Sequence, residues 1–198
     1  MRPIDVAFSP AVKAAQAARG SREAYARMDM KSRITPELKT WLEAQRSVFL
    51  ATASAEGQPY VQHRGGPPGF LRVLDEETVA FADFRGNKQF ITLGNAGEND
   101  KAFLFTVDYR QRRRIKLWGT LDVREGDDAL LAELTPEGYR AVPERVVLFR
   151  VRAWDVNCPQ HIPVRYEADE VDAMLSERDA RIADLEARLA QREGRREA

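Results

Sequence analysis

The sequence predicts a mainly β fold: a small antiparallel barrel of five or six strands with helices at its flanks. Three observations lead there. From residue 47 to residue 156, short runs of strand formers recur, separated by turn clusters such as AEGQ, GGPPG and DEE. Few helical patterns intervene, so the strands connect by turns, as antiparallel strands do. Helical patterns lie chiefly at the two ends of the chain.

The elements follow in order. Residues 10–28 are alanine-rich, and Ser9-Pro10 supplies a cap followed by proline at the first helical position. Thr35-Pro36 repeats that signal before ELKTWLEAQR, a helix with Leu38, Trp41 and Leu42 on one face. SVFLATAS and PYVQHRG read as one hairpin, and FLRVL and TVAFADF as a second around Asp75-Glu76-Glu77. KQFITLGN is expected to be a short helix ending at Gly94 or Asn95. KAFLFTVDY and RRIKLWGTLDVR are strands joined by a basic bend, DDALLAEL is a helix, and RVVLFRVRAWDV is the last strand.

The tail differs. Leu175, Ile182 and Leu189 recur every seven residues, with Val171 and Leu185 four before Leu175 and Leu189. That is an a/d seam, broken by Arg178 and Arg192 at d positions. It fits either paired helices or an amphipathic helix lying on its own domain. The expected organisation is a helical extension over 1–34, a barrel over 35–167, and a C-terminal helix over 168–198.

Bulk properties narrow the class. The 198 residues are 43% hydrophobic and 31% charged, with net charge +0. That balance argues against a nucleic-acid partner and a charged membrane surface. Cys158 is the sole cysteine, so no disulfide can form within the chain. The N-terminus has no apolar core of a secretory signal, and no apolar run has the length of a membrane span. A cytoplasmic protein is expected.

Four constellations could carry chemistry. In FADFRGNKQF a strand runs into Gly86, Asn87 and Lys88, which either holds an anion or merely turns. HRGGPPGFLRV places His63 and Arg64 before a glycine-proline loop. In YRQRRRIKLWG, strand alternation sends Arg112 and Arg114 to one face and Arg113 to the other, which dilutes a basic patch. WDVNCPQHIP brings Cys158 and His161 within three residues, too few ligands for zinc and without an acyl-transfer signature. No metal site is expected.

Taken in order, HRGGPPGFLRVL, FADFRGNKQFITLGN, DYRQRRRIKLWGT and WDVNCPQHI resemble the pyridoxamine 5'-phosphate oxidase-like family of FMN-binding split barrels. The likeness is to a bacterial subgroup with GNKQF and NCPQHI signatures, over residues 35 to 167. It implies a six-stranded antiparallel split barrel, a homodimer, and FMN as cofactor at the subunit interface. By the same resemblance Arg64 is a basic residue before the flavin loop, and Ala82, Asp83 and Phe84 lie against the ring. Asn87, Lys88 and Gln89 occupy the phosphate turn. Arg114 stands where the family has glutamine facing the ring, placed to stabilise negative charge on reduced flavin. Asn157, Cys158, Gln160 and His161 match the element that approaches from the partner subunit. His161 and Cys158 are the candidate catalytic residues.

Two departures matter. TPEGYRAVPERVVL and NCPQHIPVRY replace the segments that serve the vitamin substrate in authentic pyridoxamine phosphate oxidases. They argue against vitamin B6 oxidation and leave FMN binding intact. The function expected is an FMN-dependent oxidoreductase acting on a small molecule. The alternative is a flavin-binding carrier, sensor or partner-binding protein without turnover.

Overall fold

A computed structural model describes residues 2–195. These residues form two compact units. One comprises the chain up to Asp108 together with Arg113–Gln160, the other Tyr109–Arg112 and the chain from His161 on.

The first unit opens with helices α1 (Pro3–Ala7), α2 (Pro10–Ala18), α3 (Arg22–Ala26) and α4 (Pro36–Glu43). Ser9 caps α2 by accepting from the Val12 N–H, and Thr35 caps α4 by accepting from the Leu38 N–H, each at 3.3 Å. The helix expected over 10–28 is split, because Gly20 takes a left-handed φ of 73° and ends α2. Leu38, Trp41 and Leu42 are buried as their spacing predicts.

Strands β1 (Ser47–Ala53), β2 (Pro59–Gly65), β3 (Arg72–Val73) and β4 (Thr78–Phe84) form the two expected hairpins. Helix α5 (Ile91–Glu98) follows, then β5 (Lys101–Asp108), β6 (Arg113–Arg124), α6 (Asp128–Leu134) and β7 (Pro143–Asn157). All pairings are antiparallel, in one sheet of order β2-β1-β5-β6-β7-β4-β3. The seventh strand is the two-residue β3, and the sheet does not close by hydrogen bonds.

It nevertheless curls. In a flat sheet β2 and β4 would lie five strand spacings apart, roughly 24 Å. Yet Arg64 on β2 bonds Asp83 on β4 at 2.5 Å. The split of the barrel is therefore bridged by side chains. Helix α5 sits at the same opening: Thr92 donates to Gln62 on β2 and Asn95 to Thr52 on β1, each at 3.0 Å.

Curvature needs a close approach at Gly119, where the β6–β7 register shifts. A Cβ there would lie 2.2 Å from the Arg150 carbonyl oxygen, so only glycine fits. Phe81, Phe149, Leu42, Leu50, Leu71 and Leu104 are fully buried in the main core. Alternation along β4 sends Val79 and Phe81 into that core, and Ala80 and Ala82 into a second one with Leu134 of α6. Burial on both faces explains why VAFA is continuously apolar.

In the second unit the bend residues meet the segment before helix α7 (Ala168–Gly194). Arg112 has φ 51° and donates to the Ile162 carbonyl at 3.2 Å. It belongs to the bend rather than to β6, so the alternation expected of Arg112, Arg113 and Arg114 fails at its first member. Arg110 pairs with Glu170, and Arg165 lies 4.4 Å from the Tyr109 ring centroid. Glu167 and Glu170 form a capping box that starts α7. Every position from 171 to 193 is exposed. The seam residues Val171, Leu175, Ile182, Leu185 and Leu189 are all exposed. Among the described residues no helix is long and apolar enough to cross a membrane.

Candidate functional site

The strand before the turn ends on an irregularity: the β4–β7 register shifts at Asp83/Phe84. The Arg85 N–H then donates to the Val142 carbonyl at 2.8 Å, and the Gln89 N–H to Asn87 Oδ1 at 3.2 Å. The N–H groups of Gly86, Asn87 and Lys88 have no hydrogen-bond partner among the described residues. Lys88 and Phe90 both take left-handed backbone, with φ 59° and 55°. Each such residue costs about 1–3 kcal/mol, and strain of this kind gathers at ligand clamps. Gly86 has no positive φ, and nothing lies within 4 Å of where its Cβ would be. The fold does not require glycine there; a ligand approaching the backbone would.

The helix also begins later than the sequence suggests. It starts at Ile91, after the left-handed Phe90, and continues through Gly94 and Asn95 to Glu98. Lys88 and Gln89 therefore belong to the irregular turn ahead of the helix. No side chain caps the helix start, and Ile91, Thr92 and Leu93 form part of a cavity wall.

That cavity, of about 270 Å³, lies between β2, the end of β4, the turn, α5 and the start of β7. Arg64, Asp83, Phe84, Asn87, Lys88 and Gln89 all line it. Residues from two motifs, HRGGPPG and FADFRGNKQF, thus line one cavity. The other candidates do not line it. The Ala82 side chain is buried in the second core, because alternation turns it away from Asp83. Arg114 faces Asn157 across the β6–β7 ladder. With the Asn157 amide turned so that its oxygen meets the guanidinium, it accepts from Arg114 Nη2 at 2.8 Å and Nε at 2.5 Å. Cys158, Gln160 and His161 are exposed, and His161 has φ 63°.

Among the lining residues that escape a motif-based reading, Glu144 and Arg145 at the start of β7 carry charge. Register places Arg145 opposite Asp83. Arg145 bonds Glu125 at 2.8 Å and Glu144 at 3.1 Å, and pairs with Asp83 at 3.4 Å. Arg85 bonds Glu144 at 2.7 Å. The Arg145 guanidinium also lies 5.1 Å from the Phe90 ring centroid, holding that strained residue. The hydrogen bond from Arg85, then that from Arg145, holds the Glu144 carboxyl below the ordinary carboxylate range. Bonding to Glu125, then Glu144, raises the Arg145 pKa further.

Charge accounting shows what the cavity can accept. Arg64, Lys88 and Arg145 face Asp83 and Glu144, so cations exceed carboxylates by one. Lys88 has no ion-pair partner among the described residues. Arg64 is 17% exposed, and its Nε is buried without a hydrogen-bond partner. The buried guanidinium nitrogen is a donor in want of an acceptor, while the exposed Lys88 ammonium and the N–H groups of residues 86–88 are donors open to a ligand. Among the described residues no group of three or more metal-binding side chains occurs.

Comparison with known proteins adds a frame. The family model described as pyridoxamine 5'-phosphate oxidase matches residues 34–158. A structure of HupZ from Group A Streptococcus, in a single-residue variant, is 22% identical with a TM-score of 0.51, covering 63% of this chain and 99% of that one. A second HupZ structure from that organism is 18% identical with a TM-score of 0.51, covering 67% and 99%. A protein from Lactobacillus delbrueckii described as a putative pyridoxamine 5'-phosphate oxidase is 23% identical with a TM-score of 0.48, covering 63% and 95%. The HupZ likenesses show a shared fold. No curated protein matches the chain.

Proposed function

The chain belongs to the pyridoxamine 5'-phosphate oxidase family, and from that premise we propose that it is an FMN-binding oxidoreductase acting on a small molecule. The observation that carries the reading is the orphaned Arg64 Nε at a cavity with surplus positive charge. A phosphate monoester carries about −1.5 to −2 charges and several acceptor oxygens. Lys88 and Arg64 would bind it, with the Asn87 amide and the N–H groups of Gly86, Asn87 and Lys88. Gln62 and Thr92 offer polar partners to a ribityl chain, and Phe84 and Val147 an apolar wall. When bound, FMN supplies hydride and single-electron transfer.

The remaining candidates fit a homodimer. We take the cavity of one protomer, about 270 Å³, as one half of a shared site. Arg114, Asn157 and Gln160 lie outside it and would complete the neighbouring subunit's site. Within the cavity, Asp83 and Glu144 are both engaged by arginines. No uncommitted carboxylate is left among the lining residues, which favours chemistry centred on the flavin. The same observation favours the rival reading of a carrier or sensor.

The test is the absorbance spectrum of the purified protein, with mass identification of the released chromophore, followed by steady-state turnover with a nicotinamide nucleotide and an electron acceptor. FMN with turnover supports the proposal. FMN that never cycles with any donor leaves the carrier reading, and haem or a deazaflavin in its place overturns the cofactor assignment.

A further inference from the structure

The apolar stripe of α7 raises a question that the cavity does not answer. The helix has 27 residues, roughly 40 Å of length. Val171, Leu175, Ile182, Leu185 and Leu189 are 39–57% exposed. A polar helix of this length draws its stability from packing of its apolar face.

The flanking charges say what covers it. With Leu175, Ile182 and Leu189 at a, the e positions are Asp172, Asp179, Glu186 and Glu193, all acidic. The g positions are Met174, Arg181, Arg188 and Arg195, basic from the second onward. In a parallel pair of helices, each g residue meets the e residue five positions on in the partner. Arg181 then meets a glutamate at 186, and Arg188 one at 193, twice each by symmetry. In an antiparallel pair g meets g and e meets e, so every contact between charged positions has like charge. Arg178 and Arg192 at d restrict the number of strands. Their long stems can carry the guanidinium out of a two-helix seam, whereas a core of three or four helices encloses that position.

We propose that α7 of one chain pairs with α7 of a second copy as a parallel, in-register two-stranded coiled coil. Other partners match less well. The span 168–195 holds eight carboxylates against five arginines, the wrong sign for an anionic lipid surface or nucleic acid. In the single chain Arg181 and Arg188 both reach Asp184, at 2.8 and 3.8 Å. Those groups are half or more exposed, and such contacts are weak enough to exchange for an interhelical one. The proposal does not depend on the cofactor assignment.

Site-directed cross-linking of the full-length chain tests it, in a Cys158→Ser background with Val171→Cys or Leu189→Cys, under mild oxidation. The parallel pair predicts that each variant links to itself in most chains, and that mixing the two gives no mixed product. A product that joins only 171 to 189 would show an antiparallel pair and overturn the proposal. So would the absence of any link while circular dichroism shows α7 intact. Charge reversal supplies the second arm. Arg181→Glu with Arg188→Glu should lower the Leu189→Cys yield several-fold, and adding Glu186→Lys and Glu193→Lys should restore it. An unchanged yield overturns the role given to the e and g charges.

Discussion

Asp83 holds two arginines that would otherwise crowd one cavity wall. Its oxygens meet Arg64 at 2.5 Å and Arg145 at 3.4 Å, and all three side chains are 13–17% exposed. Removing one partner of a largely buried pair leaves charge uncompensated. Asp83→Asn should therefore cost about 1–3 kcal/mol, allowing for partial exposure, seen as a lower urea midpoint. It should also tighten FMN, because the cavity gains a net positive charge. An unchanged midpoint would show that the arginines do not depend on Asp83. Glu144 gives a pH signature. Its folded pKa is depressed by Arg85 and Arg145, so its contribution is present above the ordinary carboxylate range and lost as pH falls through the folded value. Urea titrations should show wild type losing its advantage over Glu144→Gln in acid, while the gap stays constant from pH 6 to 8. At this scale the sequence made Arg64, Asn87 and Lys88 legible, because cations beside a turn are a local pattern. Arg145 was not legible: its place opposite Asp83 is set by strand register across some sixty residues.

Elements show the same division between local and long-range causes. Proline-led caps, strand alternation and turn clusters lie within a few residues of what they control, and the hairpins and α4 fall where those signals put them. The start of α5 does not, since Lys88 and Phe90 take left-handed backbone that their residue types do not favour. Nor does the break after α2 follow from alanine content; it follows from Gly20. Two predictions belong here. Gly119→Ala would force a Cβ to 2.2 Å from the Arg150 oxygen and 2.8 Å from the Phe149 ring. It should cost roughly 1–3 kcal/mol, measured as a lower midpoint, and retention of the wild-type midpoint would mean that the β6–β7 crossing relaxes freely. Trp41 Nε1 donates to the buried Thr106 Oγ1 at 2.9 Å. Trp41→Phe should cost about 1–3 kcal/mol by leaving that hydroxyl unsatisfied, and the double change with Thr106→Val should cost less than the sum of the two.

At the scale of the molecule, an open seven-stranded sheet curls until β2 and β4 are joined through Arg64 and Asp83, and the cavity lies at that split. Sequence periodicity indicates strands, but curling is a property of the whole sheet, and the family resemblance supplied it. The central claim is that this cavity recognises the phosphate of FMN. Titration of FMN and of riboflavin, which lacks the phosphate, into the wild type and into Lys88→Ala and Arg64→Ala tests it most directly. A charge-assisted hydrogen bond contributes roughly 1.5–3 kcal/mol, and ~1.4 kcal/mol is tenfold in affinity. Each substitution should weaken FMN about ten- to a hundredfold while riboflavin affinity barely changes. Wild-type FMN affinity in both folded variants, or equal losses for the two ligands, would contradict the account and leave FRGNKQ as only a turn.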